Sequence, residues 1–425
     1  MTALPWLATL GVMLALQTAT ALLGRVAPTL APVLMLRNGW TEGEVGALSA
    51  MASIGSVLFL LAGLPVLRHY GPVRCLQIGL AMGMAGVMSM AAPWPLALAG
   101  GLLIGLCFGP ANSAGSEVLQ RSSPPEHRNL VFSIKQTGVP IGGVLGGLLL
   151  PWGEQAFGVV AMFALVALLA LGTIALLQPL RRDIDLAPAG SAGGTASTSA
   201  LWRQVLSVPN LMRPLRALAQ GPRLRRLGLS GAAMAFSQGG WFTFLVTYLT
   251  LRLHWSLAQA GAAFALMQVV SVVGRPLMGW LSDRLGNGVP VLRACGLASA
   301  ATTLALALTG PQTPVAFVWL VVALAGLGVS SWNGVQLAEV ARCAPGDQVS
   351  DTASGATLLV FCGYVASPAW VGACLALGGG FGLAFAGQAL VTLACLPALH
   401  GIKPLPAQAP QGVASTQDAG NAPRL

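Results

Sequence analysis

The stretch Leu251–Ala262, "LRLHWSLAQAGA", aligns without a gap on an earlier one, "LRNGWTEGEVGA" at Leu36–Ala47. At one offset of 215 positions the two share Leu, Arg, Trp, a hydroxyl residue, Gly and Ala, and the same offset sets Gly71 on Gly286. Further on, "EVLQRSSPPEH" from Glu117 is echoed by "EVARCAPGDQ" from Glu339 after a short insertion. The chain is built twice over, so its architecture is that of a repeated unit.

The unit is apolar. Of 425 residues, 55% are hydrophobic and 8% charged, against roughly 25% charged in a soluble domain. Twelve stretches are long enough, or nearly so, to cross about 30 Å of hydrocarbon as helices. They lie near 6–35, 44–66, 73–91, 95–118, 131–151, 157–178, 227–250, 258–281, 291–308, 314–338, 353–377 and 381–399. The fold class expected is therefore an all-α membrane protein of twelve transmembrane helices in two pseudo-symmetric six-helix bundles. Repeats related by an axis along the membrane normal place a binding site at their interface, near the midplane. The expected divisions are an N-terminal bundle (1–178), a cytoplasmic linker (179–222), a C-terminal bundle (223–402) and a disordered cytoplasmic tail (403–425). The linker carries "RRDID", the low-complexity "APAGSAGGTASTSA" and an Arg-bearing stretch from Leu201 suited to the membrane interface.

The first apolar segment lacks a basic leader region and outruns a signal-peptide core, which reads as a retained helix, a cleavable leader being the alternative. A net charge of +10 raises the question of nucleic acid, and its distribution answers it. With the N-terminus in the cytoplasm, seventeen of the 22 Lys and Arg fall in cytoplasmic loops or the tail, and only Arg37 and Arg252 lie outside. The positive-inside rule accounts for the basic balance and puts both termini in the cytoplasm. Seven scattered cysteines and four histidines at loops or ends show no metal or disulfide spacing. No phosphate-binding loop, nucleophile elbow or paired helix carboxylates occur, so neither catalysis, a cofactor nor ATP-driven transport is expected.

One motif points to a family. "GRPLMGWLSDRLG", Gly274–Gly286, resembles the Gly-x-Leu-x-Asp-Arg-x-Gly signature of the major facilitator superfamily, in the loop between helices eight and nine. The resemblance covers roughly residues 5–400 and implies alternating access by rocking of two halves. It implies a conformational gate of Arg68, Gly71, Glu117, Gly279, Asp283, Arg284, Gly286 and Glu339. The first-half copy, "GLPVLRHYGPVR" from Gly63, keeps Gly71 but has Arg68 where Asp283 stands, so the acidic latch is missing there. "GVPIGG" from Gly138 is similar to an antiporter motif with Pro140 shifted, and "LALAGGLLIGLCFGP" lacks the helix-four arginine of many proton-coupled relatives. "GRPLMG" resembles the Arg-Pro-x-x-Gly of monocarboxylate porters, where the arginine engages the substrate carboxylate.

Three cations lie within the helices: Arg25, Lys135 and Arg275. At 1.5 Å per residue they sit about 18, 10 and 12 Å in from Arg37, Arg128 and Asp283 respectively. Each would cost at least about 2.5–3.5 kcal/mol in lipid, so each should face protein or a wet cavity. On a helical wheel Gln268, Ser271, Gly279 and Ser282 share the face of Arg275, while Leu266, Val270, Val273, Leu277 and Trp280 lie opposite. Thr18, Thr29 and Pro32 flank Arg25, opposite Leu16, Leu23 and Leu34. Lys135 projects near the Gly138, Gly142, Gly146 stripe, which should pack on another helix; Gly101, Gly105 and Gly109 should do the same.

All twelve acids fall at helix ends, in loops or in the tail. Inward cations without buried counter-charges leave a positive cavity, which a travelling anion would neutralise. The expected substrate-binding set is Arg25, Lys135 and Arg275, with Asn112, Gln136, Gln238, Asn333 and Tyr364 as cavity liners and Trp241 as an apolar wall beside Arg25. The structural alternatives are Arg275 or Lys135 paired with Glu117, or Arg275 with Glu339, and interhelical hydrogen bonds or packing for the rest. The expected protein is a monomeric secondary transporter of a small organic anion, a monocarboxylate for instance, with protons or exchange as coupling. Efflux of drugs or small hydrophobes and a non-transporting membrane sensor are the alternatives. Two lysines against twenty arginines hint at a GC-rich bacterial genome and so at a bacterial inner membrane.

Overall fold

The structure is a computed structural model that describes residues 6–122, 128–185, 198–219, 221–343 and 349–402. These residues are helical almost throughout, as lipid demands: without water to satisfy peptide groups, a spanning segment must close its hydrogen bonds internally. The first half comprises α1 (Trp6–Asn38), α2 (Glu42–Ala62), a short α3 (Leu64–Tyr70), α4 (Pro72–Met88), α5 (Trp94–Ser122), α6 (Arg128–Phe157) and α7 (Val159–Ile184). Two short helices follow, α8 (Thr198–Val205) and α9 (Val208–Ala219). The second half comprises α10 (Pro222–Leu251), α11 (Leu257–Arg284), α12 (Val289–Ala307), α13 (Val315–Gly328), α14 (Asn333–Cys343), α15 (Val349–Ala376), α16 (Gly380–Leu393) and α17 (Cys395–Leu399).

The repeat in the sequence has a local cause. Thr41 accepts a hydrogen bond from Glu44 N, and Glu44 accepts from Thr41 N, a capping box that starts α2. Ser256 and Gln259 form the same box at the start of α11. The two boxes occupy equivalent positions of the 215-residue repeat, and each cap contributes about 1 kcal/mol to fixing where its helix begins.

Ten spans among the described residues are apolar and long enough to cross a membrane, α13 and α14 counting as one. The two remaining long helices, α6 and α10, are more polar because they are interior: 20 of the 30 residues of α10 are buried, including Ser230, Ser237, Gln238, Thr243 and Thr247. By contrast α7 turns Leu165, Leu168, Leu169 and Leu176 outward, the pattern of a lipid-facing helix. Together these give the twelve spans expected, with two corrections. The tenth is broken at 329–332. The twelfth is broken at Ala394, ahead of Pro397, which cannot continue the ladder.

Two cores form separately. One apolar cluster draws its buried residues from Leu10 to Leu180, and two others draw theirs from Leu218 to Ile402. The halves meet chiefly along α1 with α10, α2 with α15, and α6 with α11. At the end of the bundle away from α8 and α9, α6 and α11 come into backbone contact, where a Cβ on Gly147 would stand 2.5 Å from Gly261 O. At that same end Gly46 of α2 lies against Phe244 and Pro368.

The other glycine face of α6 packs on α1, as the small-residue stripe predicts: Gly138, Gly142 and Gly146 lie against Gln17, Ala21 and Arg25. Gly101, Gly105 and Gly109 of α5 pack on α2. The face of α1 opposite Arg25 does not reach the outside, since Leu16, Leu23 and Leu34 are buried in the first core. α7 runs six residues past the expected linker start at 179, and α9 packs on α10 and α15 through Leu218, its Asn210 donating to Leu61 O of α2 at 3.4 Å. The low-complexity segment 186–197 and the tail 403–425 lie outside the described residues.

Candidate functional site

α1 carries Arg25 to the seam between the halves because Gly146 of α6 has no side chain to block it; a Cβ there would lie 2.8 Å from that of Arg25. The guanidinium stacks over Phe242 of α10, 4.2 Å from its centroid, with Phe264 of α11 at 5.5 Å. A ring face attracts a cation without neutralising it. Arg25 Nε is buried with no hydrogen-bond partner.

Arg275 reaches the same seam from α11. Its Nε donates to Ser330 O at 3.3 Å and its Nη1 to Gln136 O of α6, also at 3.3 Å. Ser330 sits in the break between α13 and α14, where the interrupted helix leaves a carbonyl for side chains; Ser271 Oγ donates to it as well, at 3.1 Å. Irregular backbone at this depth is tolerated where it is buried in protein or lines a cavity.

Tyr364 of α15 completes the group. Its hydroxyl donates to Gln238 Oε1 at 2.7 Å, Asn333 stands beside it, and it lies within electrostatic reach of both arginines. Arg25 and Arg275, one from each half, both turn their guanidinium groups into this seam. Among the described residues neither pairs with a carboxylate, so the pairings of Arg275 with Glu117 or Glu339 do not form. The predicted wheel of α11 is met in part: Gln268, Ser271 and Ser282 are buried and Val273, Leu277 and Trp280 exposed, whereas Leu266 and Val270 are half-buried, Val270 against Gly326 of α13, and Gly279 has nothing packed on it.

Two predicted residues stand elsewhere. Lys135 is fully buried inside the first half, its Nζ donating to Ala111 O at 2.8 Å, Asn112 O at 3.3 Å and Ser116 Oγ at 3.4 Å. Three acceptors satisfy an ammonium group, so Lys135 ties α6 to α5, with the Asn112 carbonyl as one of its anchors, and does not join the arginine pair. Trp241 is also turned away: it is fully buried, and its indole donates to Thr303 Oγ1 at 2.8 Å within the second half. The wall beside Arg25 is its neighbour Phe242. Gln136 contributes its carbonyl, and Gln238 and Asn333 sit with Tyr364. Phe242, Phe264 and Ser330 were not anticipated; the Ser330–Ser331 pair inside an apolar run was the available signal for the last.

At the end bearing α8 and α9, the expected gate residues form two capped helix starts. In the second half Glu339, 2% exposed, accepts from Gly288 N at 2.8 Å and pairs with Arg342 at 2.9 Å and Arg223 at 3.7 Å. Arg342 also reaches Asp283 at 3.4 Å, whose side chain is 79% exposed. Arg284 lies over Trp280, the loop turns at Gly286 with φ +61°, and Gly279 faces open space. In the first half Arg68 is exposed, and the anion comes from Asp185 at the end of α7. It accepts from Val73 N at 3.0 Å and Arg74 N at 2.8 Å. Gly71, at φ +82°, lets the chain pass beneath it; a Cβ would meet Asp185 Cγ at 2.6 Å. Val73 and Gly288 are equivalent under the 215-residue repeat, so both halves cap the same amide with acids from different helices. Glu117 is half-buried on α5.

The family description "Major Facilitator Superfamily" matches residues 6–368. An uncharacterized MFS-type transporter of Mycobacterium tuberculosis is 27% identical over 318 residues, 74% of this chain and 67% of that protein. A probable chloroplastic anion transporter of Arabidopsis thaliana is 24% identical over 256 residues, 59% of this chain and 49% of its own length. A gallate transporter of Pseudomonas putida is 26% identical over 281 residues, 60% and 61% of the two chains. Among solved structures, a peptide transporter POT in complex with sulfate superposes with a TM-score of 0.70 at 16% identity, over 92% of this chain and 94% of that one. At that identity the likeness is one of fold.

Proposed function

This chain belongs to the major facilitator superfamily, and from its membership and its arginine pair we propose that it is a secondary transporter of a small organic anion, working by alternating access. The observation that carries the reading is that Arg25, from the first half, and Arg275, from the second, are both turned into the seam with no carboxylate paired to either among the described residues. Two guanidinium groups held in low dielectric repel each other, and a carboxylate entering between them relieves both charges through short, bidentate hydrogen bonds. Because one arginine belongs to each half, the same anion ties the halves together as they close. The anion and gallate transporters among the relatives support an anionic cargo.

The charge balance also bears on coupling. Among the described residues no carboxylate stands in the site to carry a proton, so the anion enters with its own proton or is exchanged for a second anion. An exporter of cationic drugs would call for an acid at this position, which makes efflux the weaker reading. Uptake of radiolabelled carboxylates into proteoliposomes, with Arg25→Gln and Arg275→Gln as paired controls, tests transport and separates it from a sensor, which would bind anions and move none. Wild-type rates for anions that equal those of the two variants would refute the proposal.

A further inference from the structure

The groups around the two arginines are rings and amides, and they specify more than a charge. Phe242 covers one face of the Arg25 guanidinium at 4.2 Å, which leaves its in-plane N–H edges for an incoming carboxylate. Beside the pair, Tyr364 meets Phe361 edge to face at 5.5 Å, and Phe361 meets Phe108 at 6.4 Å. Phe108 belongs to α5 and Phe361 to α15, so this file of rings crosses from one half to the other. Quadrupoles arranged edge to face favour another flat ring over an aliphatic body of equal size.

A polar atom in the same group lacks a partner. Tyr364 gives its only proton to Gln238 Oε1 and is itself hydrogen-bonded by the Asn333 side chain, whose Oδ1 is buried and accepts from nothing. A buried acceptor without a donor is costly, and a solute hydroxyl would supply the donor. We propose that the cargo is a hydroxylated aromatic carboxylate: its carboxylate lies on Arg25 and Arg275, its ring against Phe242, Phe361 and Tyr364, and its ring hydroxyl donates to Asn333 Oδ1. The inference rests on the anion reading above and narrows it.

The test is thermal stabilisation of the purified full-length protein by 4-hydroxybenzoate, benzoate, cyclohexanecarboxylate and acetate. Apparent affinity should fall about tenfold from 4-hydroxybenzoate to benzoate, one hydrogen bond being lost. It should fall about threefold to tenfold again to cyclohexanecarboxylate. Asn333→Leu should erase the first step and keep the second. Cyclohexanecarboxylate binding as tightly as benzoate overturns the ring assignment while the anion reading stands. Equal binding of benzoate and 4-hydroxybenzoate by the wild type overturns the hydroxyl assignment without recourse to a variant. Stabilisation by none of the four acids overturns both this inference and the anion reading.

Discussion

Arg25 and Arg275 should respond differently to the same substitution, because one is anchored and the other is not. Replacing Arg25 by Gln exchanges charged donors for one neutral amide. Charged hydrogen bonds contribute about 1.5–3 kcal/mol and neutral ones about 0.5–1.5, so the anion loses about 1–3 kcal/mol, or about fivefold to 150-fold in affinity. The empty protein gives up the ring contact to Phe242, about 0.5–2 kcal/mol, but is relieved of a buried cation whose Nε has no partner, which offsets that loss or exceeds it. Its melting temperature without ligand should hold or rise. Arg275→Gln should weaken the anion equally, but it also removes charged donors from Ser330 O and Gln136 O, at about 3–6 kcal/mol for the pair. Melting curves of both variants with and without benzoate separate the two roles. An Arg25→Gln protein that melts lower when empty, yet gains as much from benzoate as wild type, would refute the reasoning.

Lys135→Met should leave anion affinity within about twofold, since the ammonium is spent on α5 acceptors; a tenfold loss in equilibrium binding would place it in the site after all. Phe242→Leu should weaken anion binding with little change in melting, whereas Trp241→Phe should lower melting by about 1 kcal/mol through the lost bond to Thr303 and spare affinity. Glu339→Gln should cost about 1–3 kcal/mol, because a buried carboxylate holding Gly288 N and two arginines is neutralised. Asp283→Asn, at an exposed pair, should cost under about 1 kcal/mol; thermal denaturation of the two variants side by side checks the ranking. Gly147→Val should hold α6 off Gly261, so that anion binding survives while uptake into vesicles falls.

Features of the fold that depend on local chemistry were legible. The alignment of Leu36–Ala47 on Leu251–Ala262 marks two capping boxes, and a cap needs only residues three apart. The inward face of Arg275 was legible because α11 has a lipid side, Val273, Leu277 and Trp280, against which to read the wheel. α10 offers no such contrast. Buried nearly all round, it gives Trp241 and Phe242 equal claims, and only the positions of α1 and α12 decide between them. Lys135 was misplaced for a similar reason: its glycine face does meet α1, but the side chain reaches across to α5, which no single-helix projection includes. The break at 329–332 contains no proline and passes for apolar helix, although it supplies the carbonyl that orients Arg275. Asp185 fell in a stretch read as connector, so the first half looked to be without an acid there.

The two carboxylates at the amino ends of α4 and α12 bracket the connector. Asp185 stands where it departs from α7, and Glu339 grips Arg223 just after it arrives at α10. The covalent thread between them is therefore moored at both shores. A pull on either mooring is delivered to the third spanning helix of its bundle, and between the two α9 adds a hold of its own on α2, α10 and α15.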